Sequence, residues 1–231
     1  MISFFKKNPE YRAAAGLTFT YFILFIVTLF FEDYIPLSSA YIWNIFLSLI
    51  PMLLSLIMQK MADKEKNGEF SLAIFLIGLL WLIMFPNAPY MFTDLAHLNL
   101  FEVSYGLNIS TFRSAWFGLL FAAFSIMTGV LMGMLSLYIT SSIIKKKYNS
   151  FVSWIFVALV SILSGLGMYL GRFPRFNSWD IFRRPLYLIK TMLSVINLHT
   201  FGFVVLFSIT TGAAYWLFYL LFDHEKIDKL R

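Results

Sequence analysis

Cysteine is absent from the 231 residues and histidine occurs three times. The first absence removes disulfides, thiolate metal sites and cysteine nucleophiles, and it leaves the redox compartment undetermined. Charge is also scarce, at 13% of residues against roughly 25% in soluble globular chains. Hydrophobic residues make up 60% and the mean hydropathy is +0.77. A soluble core holding that much Phe, Leu and Ile would lack the polar surface to cover it, so lipid has to act as solvent for part of the molecule. Walker, dinucleotide, haem and H-E-x-x-H patterns are missing, and no cofactor is assigned. The net charge of +6 is carried in short blocks between apolar stretches. That placement fits topology signals and anionic lipid headgroups, not nucleic acid.

Six stretches are long and apolar enough to cross a bilayer: about 13–31, 41–58, 70–85, 115–139, 151–170 and 200–222. The expected fold is all-α, a polytopic membrane helical bundle forming one transmembrane domain over 1–231. The first stretch follows Lys6 and Lys7 but is span-length and lacks a small-x-small cleavage pattern, so it reads as an uncleaved helix. The third is short, and either continues through Pro86 or tilts toward a thinner rim. The stretch 185–199 is interrupted by Lys190, Asn197 and His199, and reads as an additional interfacial or re-entrant helix rather than a seventh span.

Basic residues test the span count independently. Placing the N-terminus inside puts Lys6, Lys7 and Arg12 there, then Lys60, Lys64 and Lys66, then Lys145, Lys146 and Lys147, then Lys226, Lys229 and Arg231. The first outer loop carries Glu32 and Asp33 with no Lys or Arg, and in the second Arg113 is the only Lys or Arg. The positive-inside bias therefore places both termini in the cytoplasm. Arg172, Arg175, Arg183, Arg184 and Lys190 in the third outer loop oppose the rule, which marks that loop as having another task. Within the spans, Gly129 and Gly133 form a G-x-x-x-G spacing, and Gly165 and Gly167 crowd the fifth span. Both point to close helix packing, within or between subunits.

Two outer segments carry candidate chemistry. In PNAPYMFTDLAHLNLFE, Pro86 and Pro89 bracket Asn87 and break the helix. Asp94 and His97, three apart in a helix begun near Tyr90, share a face suited to a general base, a metal ligand pair or a local hydrogen bond. Two ligands do not make a zinc site, and whether a metal binds stays open. In GRFPRFNSWDIFRRP, Arg172 and Arg175 flank a Gly171/Pro174 break, followed by Asn177, Ser178 and Asp180. Ser178 has the character of a helix N-cap, and paired arginines near a helix start form a receptor for phosphate or carboxylate. Arg175 could instead pair with Asp180 or Asp94 and staple the loops. Both segments lie on the outer face, which places catalytic candidates Asp94 and His97 near binding candidates Arg172, Arg175, Asn177, Asp180, Asn87 and Tyr90. Asn99 and Trp179 are lining candidates, and His199 is a candidate third ligand.

P-N-A-P-Y followed by T-D-L-x-H-L over 86–98, and G-R-F-x-R-x-N-S-W-D over 171–180, resemble the hallmarks of the integral-membrane family catalogued as domain of unknown function 1361. The resemblance runs from the second span to the last. Pro174 stands where a bulkier apolar residue is expected, which leaves both arginines in place. The resemblance implies a prokaryotic multi-pass protein of the inner or plasma membrane and supplies no reaction.

Membrane lipids are expected partners, with an anionic or phosphorylated substrate at the outer face and no specific protein partner indicated. Three functions compete: an outer-face enzyme acting on a lipid-linked envelope substrate, a small-molecule or lipid transporter, and a structural or partner-binding protein. The near absence of charge within the spans weighs against coupled transport.

Overall fold

A computed structural model describes residues 8–31, 35, 37–65, 70–101, 109–195 and 197–227. Lys6, Lys7, Glu32, Asp33, Lys66, Lys229 and Arg231 lie outside the described residues, as do the side chains of Asn99, Arg113 and Lys226. The chain forms α1 (Pro9–Phe31), α2 (Ser38–Ala62), α3 (Leu72–Met84), α4 (Asn87–Tyr90), a 3-10 helix (Met91–Phe101), α5 (Ile109–Lys147), α6 (Ser150–Arg172), α7 (Asp180–Arg183), α8 (Pro185–Ser194) and α9 (Leu198–Ile227). Among the described residues this is an all-α bundle with six helices long and apolar enough to cross a membrane.

Length explains the division of labour among these helices. The 23 residues of α1 rise about 34 Å, enough for a hydrocarbon core of about 30 Å. The 13 residues of α3 rise only about 20 Å, and the third span reaches full length by continuing past Pro86 to His97. Pro86 lacks an N–H, so the regular helix stops there without ending the crossing. The ten residues of α8 rise about 15 Å, too short to span. Its side chains are exposed or half-buried, as befits an interfacial helix.

At the centre stands α5, which packs against α1, α2, α6, α9 and the 3-10 helix. Its span is 61% buried within the protein, against 11% for α9, so α5 is the core and α9 faces lipid along most of its surface. Phe30, Leu72 and Leu221 are each more than 70% exposed, an arrangement stable only against acyl chains. Polar side chains inside the bundle form cross-helix bonds. Trp81 Nε1 donates to Ser136 Oγ at 2.7 Å, and Ser136 Oγ donates to the Pro51 carbonyl at 2.8 Å, tying α3 to α5 and α5 to α2. At the end carrying the lysine run, Lys146 pairs with Asp63 at 3.0 Å.

The chain after Pro86 is pressed into notches on two neighbours. A Cβ on Gly129 would overlap Met91 Sδ, one on Gly133 would lie 2.6 Å from Ala88 Cβ, and one on Gly167 would lie 2.8 Å from Pro86 Cβ. The G-x-x-x-G face of α5 is therefore used within the chain, where it admits the 86–91 turn at backbone contact. Gly165 receives α9, its missing Cβ leaving space 2.6 Å from the Val204 carbonyl. Gly16 has no atom within 4 Å of the equivalent point. Gly133→Leu is expected to lower stability by about 1–3 kcal/mol through overpacking, seen as a lower Tm in detergent, while Gly16→Leu leaves Tm unchanged or slightly raised.

Candidate functional site

In a 3-10 helix, side chains three apart eclipse one another, so Met91, Asp94 and His97 form one edge. Met91 meets Gly129 at the inner end of this edge. Asp94, 4% exposed, is next, and its Oδ2 accepts from Asn44 Nδ2 of α2 at 2.8 Å. Outermost is His97, whose Nε2 lies 3.1 Å from Arg172 Nη1. A guanidinium can only donate, so Nε2 accepts and the ring proton sits on Nδ1.

The second segment turns sharply at the end of α6. Arg175 adopts a left-handed backbone, φ 61°, a conformation that L side chains enter at a cost. The turn closes through the Phe176 N–H to the Leu170 carbonyl at 3.0 Å. Asn177 and Asp180 then bind each other reciprocally. The Asp180 N–H donates to the Asn177 carbonyl at 2.9 Å, and the Asn177 N–H donates to Asp180 Oδ2 at 2.8 Å. This exchange closes a turn ahead of α7, and the helix cap expected of Ser178 does not form. The residue before α7 is Trp179, which makes no side-chain cap, and Ser178 instead accepts from Asn87 Nδ2 at 3.0 Å. The same nitrogen donates to the Met84 carbonyl at 2.8 Å.

Asn87–Ser178 and His97–Arg172 thus join the two sequence motifs across more than seventy residues. Only some of the candidate residues on these segments line a common cavity. A cavity of about 530 Å³ lies between α2, the α3–α4 turn and α6, beneath α7 and α8. Its inner wall is apolar, formed by Leu47, Leu82 and Leu166, and its rim carries Asn44, Asn87, Tyr90, Arg175, Asn177 and Ser178. Of the sequence candidates, Asn87, Tyr90, Arg175 and Asn177 line it, whereas Asp94, His97, Arg172 and Asp180 do not. Asp94 is held behind Asn44, His97 and Arg172 satisfy each other outside, and Asp180 is spent on its own turn. Among the described residues Arg175 has no carboxylate partner, and it is the one charged residue lining the cavity. Neither of the two staples open to it, to Asp180 or to Asp94, forms.

Asn44 was legible only as a polar residue inside a span. Its spacing of four from Ser48 was the available signal, since Ser48 Oγ donates to the Asn44 carbonyl at 2.9 Å on that stripe. His199 is exposed at the start of α9, where Asn197 Oδ1 accepts from the Thr200 N–H at 2.9 Å and caps the helix. No group of three or more His, Asp or Glu side chains gathers among the described residues.

Fold and site together define a multi-pass helical membrane protein with a polar-rimmed cavity opening at one end of the bundle. The family model described as "Protein of unknown function (DUF1361)" matches residues 43–213, and the chain belongs to that family. No curated protein and no solved structure matches it.

Removing the carboxylate that holds Asn44 leaves a half-buried amide without its partner. Asp94→Leu is expected to cost about 1–3 kcal/mol, read as a lower Tm, and Asp94→Asn to recover much of the loss because its amide oxygen still accepts. A strained residue kept at a cavity rim predicts the opposite sign. Arg175→Gly should leave the unliganded protein as stable, or more stable by roughly 1 kcal/mol at most, when compared in the same melts.

Proposed function

We propose that the protein binds an amphiphile with an anionic head group at the outer face of a prokaryotic cell membrane, both termini being cytoplasmic. The observation that carries this reading is Arg175, a lone guanidinium at the rim of a cavity whose depth is apolar. Arg175 is exposed and has no carboxylate partner among the described residues, and such a guanidinium can hold an incoming phosphate or carboxylate bidentately. Leucine walls suit an acyl or prenyl chain. Trp43 and Leu163 line the cavity and are 51% and 46% exposed, so its wall continues onto the lipid-facing surface, and an amphiphile enters sideways from the leaflet.

The geometry favours binding over catalysis. Asp94 and His97 carry the acid–base capacity of the two motifs, yet neither borders the cavity, and a general base must reach the proton it takes. Among the described residues, Tyr90 is the one rim side chain besides Arg175 with an ionisable group. The orientation rests on the basic blocks at the lysine end of the bundle. It leaves the arginine-rich 171–184 segment outside, where a headgroup receptor accounts for its departure from the positive-inside pattern.

Delipidated full-length protein is expected to gain thermal stability from an anionic lipid and much less from phosphatidylcholine. Arg175→Gln should weaken anionic-lipid affinity about tenfold, the loss of one charge-assisted contact. Equal affinities for wild type and variant would contradict the reading. Because the chain is free of cysteine, single replacements report topology cleanly. Arg183→Cys should react with an impermeant maleimide on intact cells, and Lys146→Cys only after permeabilisation.

A further inference from the structure

We infer that the head group taken at this cavity bears hydroxyl donors beside its anion, so that the ligand is a polyol-phosphate amphiphile. This rests on the proposed anion site at Arg175 and adds a second recognition element to it.

Two amides are turned so that their oxygens are left over. Asn87 uses one nitrogen for two contacts, to the Met84 carbonyl at 2.8 Å and Ser178 Oγ at 3.0 Å. A backbone carbonyl only accepts, so the nitrogen must face it and both amide hydrogens are occupied. Asn44 is fixed in the same way, because its Nδ2 faces the Asp94 carboxylate at 2.8 Å. Both side chains line the cavity, and neither Oδ1 has a hydrogen-bond partner or is sealed off among the described residues. The rim therefore presents one cation and two neutral acceptors whose orientation the protein has already set.

Such a rim discriminates between head groups. A phosphate monoester or phosphocholine brings acceptors to Arg175 but little or nothing to donate, and would leave both amide oxygens facing a group they repel. An ammonium head donates, yet among the described residues no carboxylate lines the cavity to receive a second cation beside Arg175. Neutral hydroxyls two or three bonds from a phosphate satisfy the amide oxygens while the phosphate satisfies the guanidinium. Sites built to bond a hydroxyl reject analogues that lack it more sharply than apolar pockets reject a missing methylene.

The test titrates delipidated full-length protein with dioctanoyl phosphatidylglycerol, phosphatidic acid, phosphatidylethanolamine and phosphatidylcholine, reading intrinsic tryptophan fluorescence. The expected result is phosphatidylglycerol tighter than each of the others by about tenfold or more, with Asn44→Val lowering it to the level of phosphatidic acid. The comparison on wild-type protein decides even if that variant does not fold. Equal binding of phosphatidylglycerol and phosphatidic acid, both above phosphatidylcholine, overturns the hydroxyl inference and leaves the anion site standing. Phosphatidylethanolamine matching phosphatidylglycerol overturns it as well. Phosphatidylglycerol no tighter than phosphatidylcholine, with no effect of Arg175→Gln, overturns both.

Discussion

The architecture depends on one close approach, the seating of the 86–91 turn in glycine notches on α5 and α6. Pro86 meets the space left by Gly167, Ala88 that left by Gly133, and Met91 that left by Gly129. Without a strong hydrophobic drive between helices in lipid, contact of this kind supplies the packing that holds spans together. It also fixes the path of the chain on either side of the turn. With residues 86 to 91 clamped, Asn87 must sit over α6 within reach of Ser178, and the 3-10 edge must run up between α2 and α5. Asp94 then arrives at Asn44, and His97 at Arg172. The cavity is the space left between α2 and α6 once this wedge is in place.

The same wedge explains why the two motifs are so far apart in sequence and so rich in polar groups. Most of those groups bond one another. Asn87 clasps Ser178, Asp94 holds Asn44, Asp180 closes the Asn177 turn, and Arg172 meets His97. Each bond sets the direction of a group at the rim or beneath it. Arg175 combines a left-handed conformation with the lack of a carboxylate partner among the described residues. Backbone strain together with an unpaired charge is poor design for a staple and reasonable design for a receptor.

Much of this was legible in the sequence. Six apolar stretches gave the spans, since a length near twenty residues and the bilayer thickness leave few alternatives. Pro86 marked the break, and the shortness of the third stretch signalled its continuation. The proximity of the two motifs followed from topology alone. Side-chain allegiance did not. Asp94 and His97 share an edge, as their spacing of three implied, but that edge faces α2 and Arg172 rather than the cavity. Which of two neighbouring arginines is paired depends on the turn at 173–176, where Pro174 and a left-handed Arg175 reverse the chain. Local propensity does not encode that choice, because it is settled by the Phe176–Leu170 closure and by Asn87 reaching Ser178 from another helix. Asn44 was visible as a polar residue in a span, and only its partner Asp94 fixes which way its amide is turned.

The central claim is that an amphiphile occupies the space between α2 and α6 with its head at Arg175. It is tested most directly by an experimental structure of the full-length protein in nanodiscs containing phosphatidylglycerol. The predicted result is density continuous from the Arg175 guanidinium, past Asn44 and Asn87, down between Leu82 and Leu166. A structure in which α6 closes against α2 and Arg175 turns outward to the bulk leaflet, with no density between the helices, would contradict it.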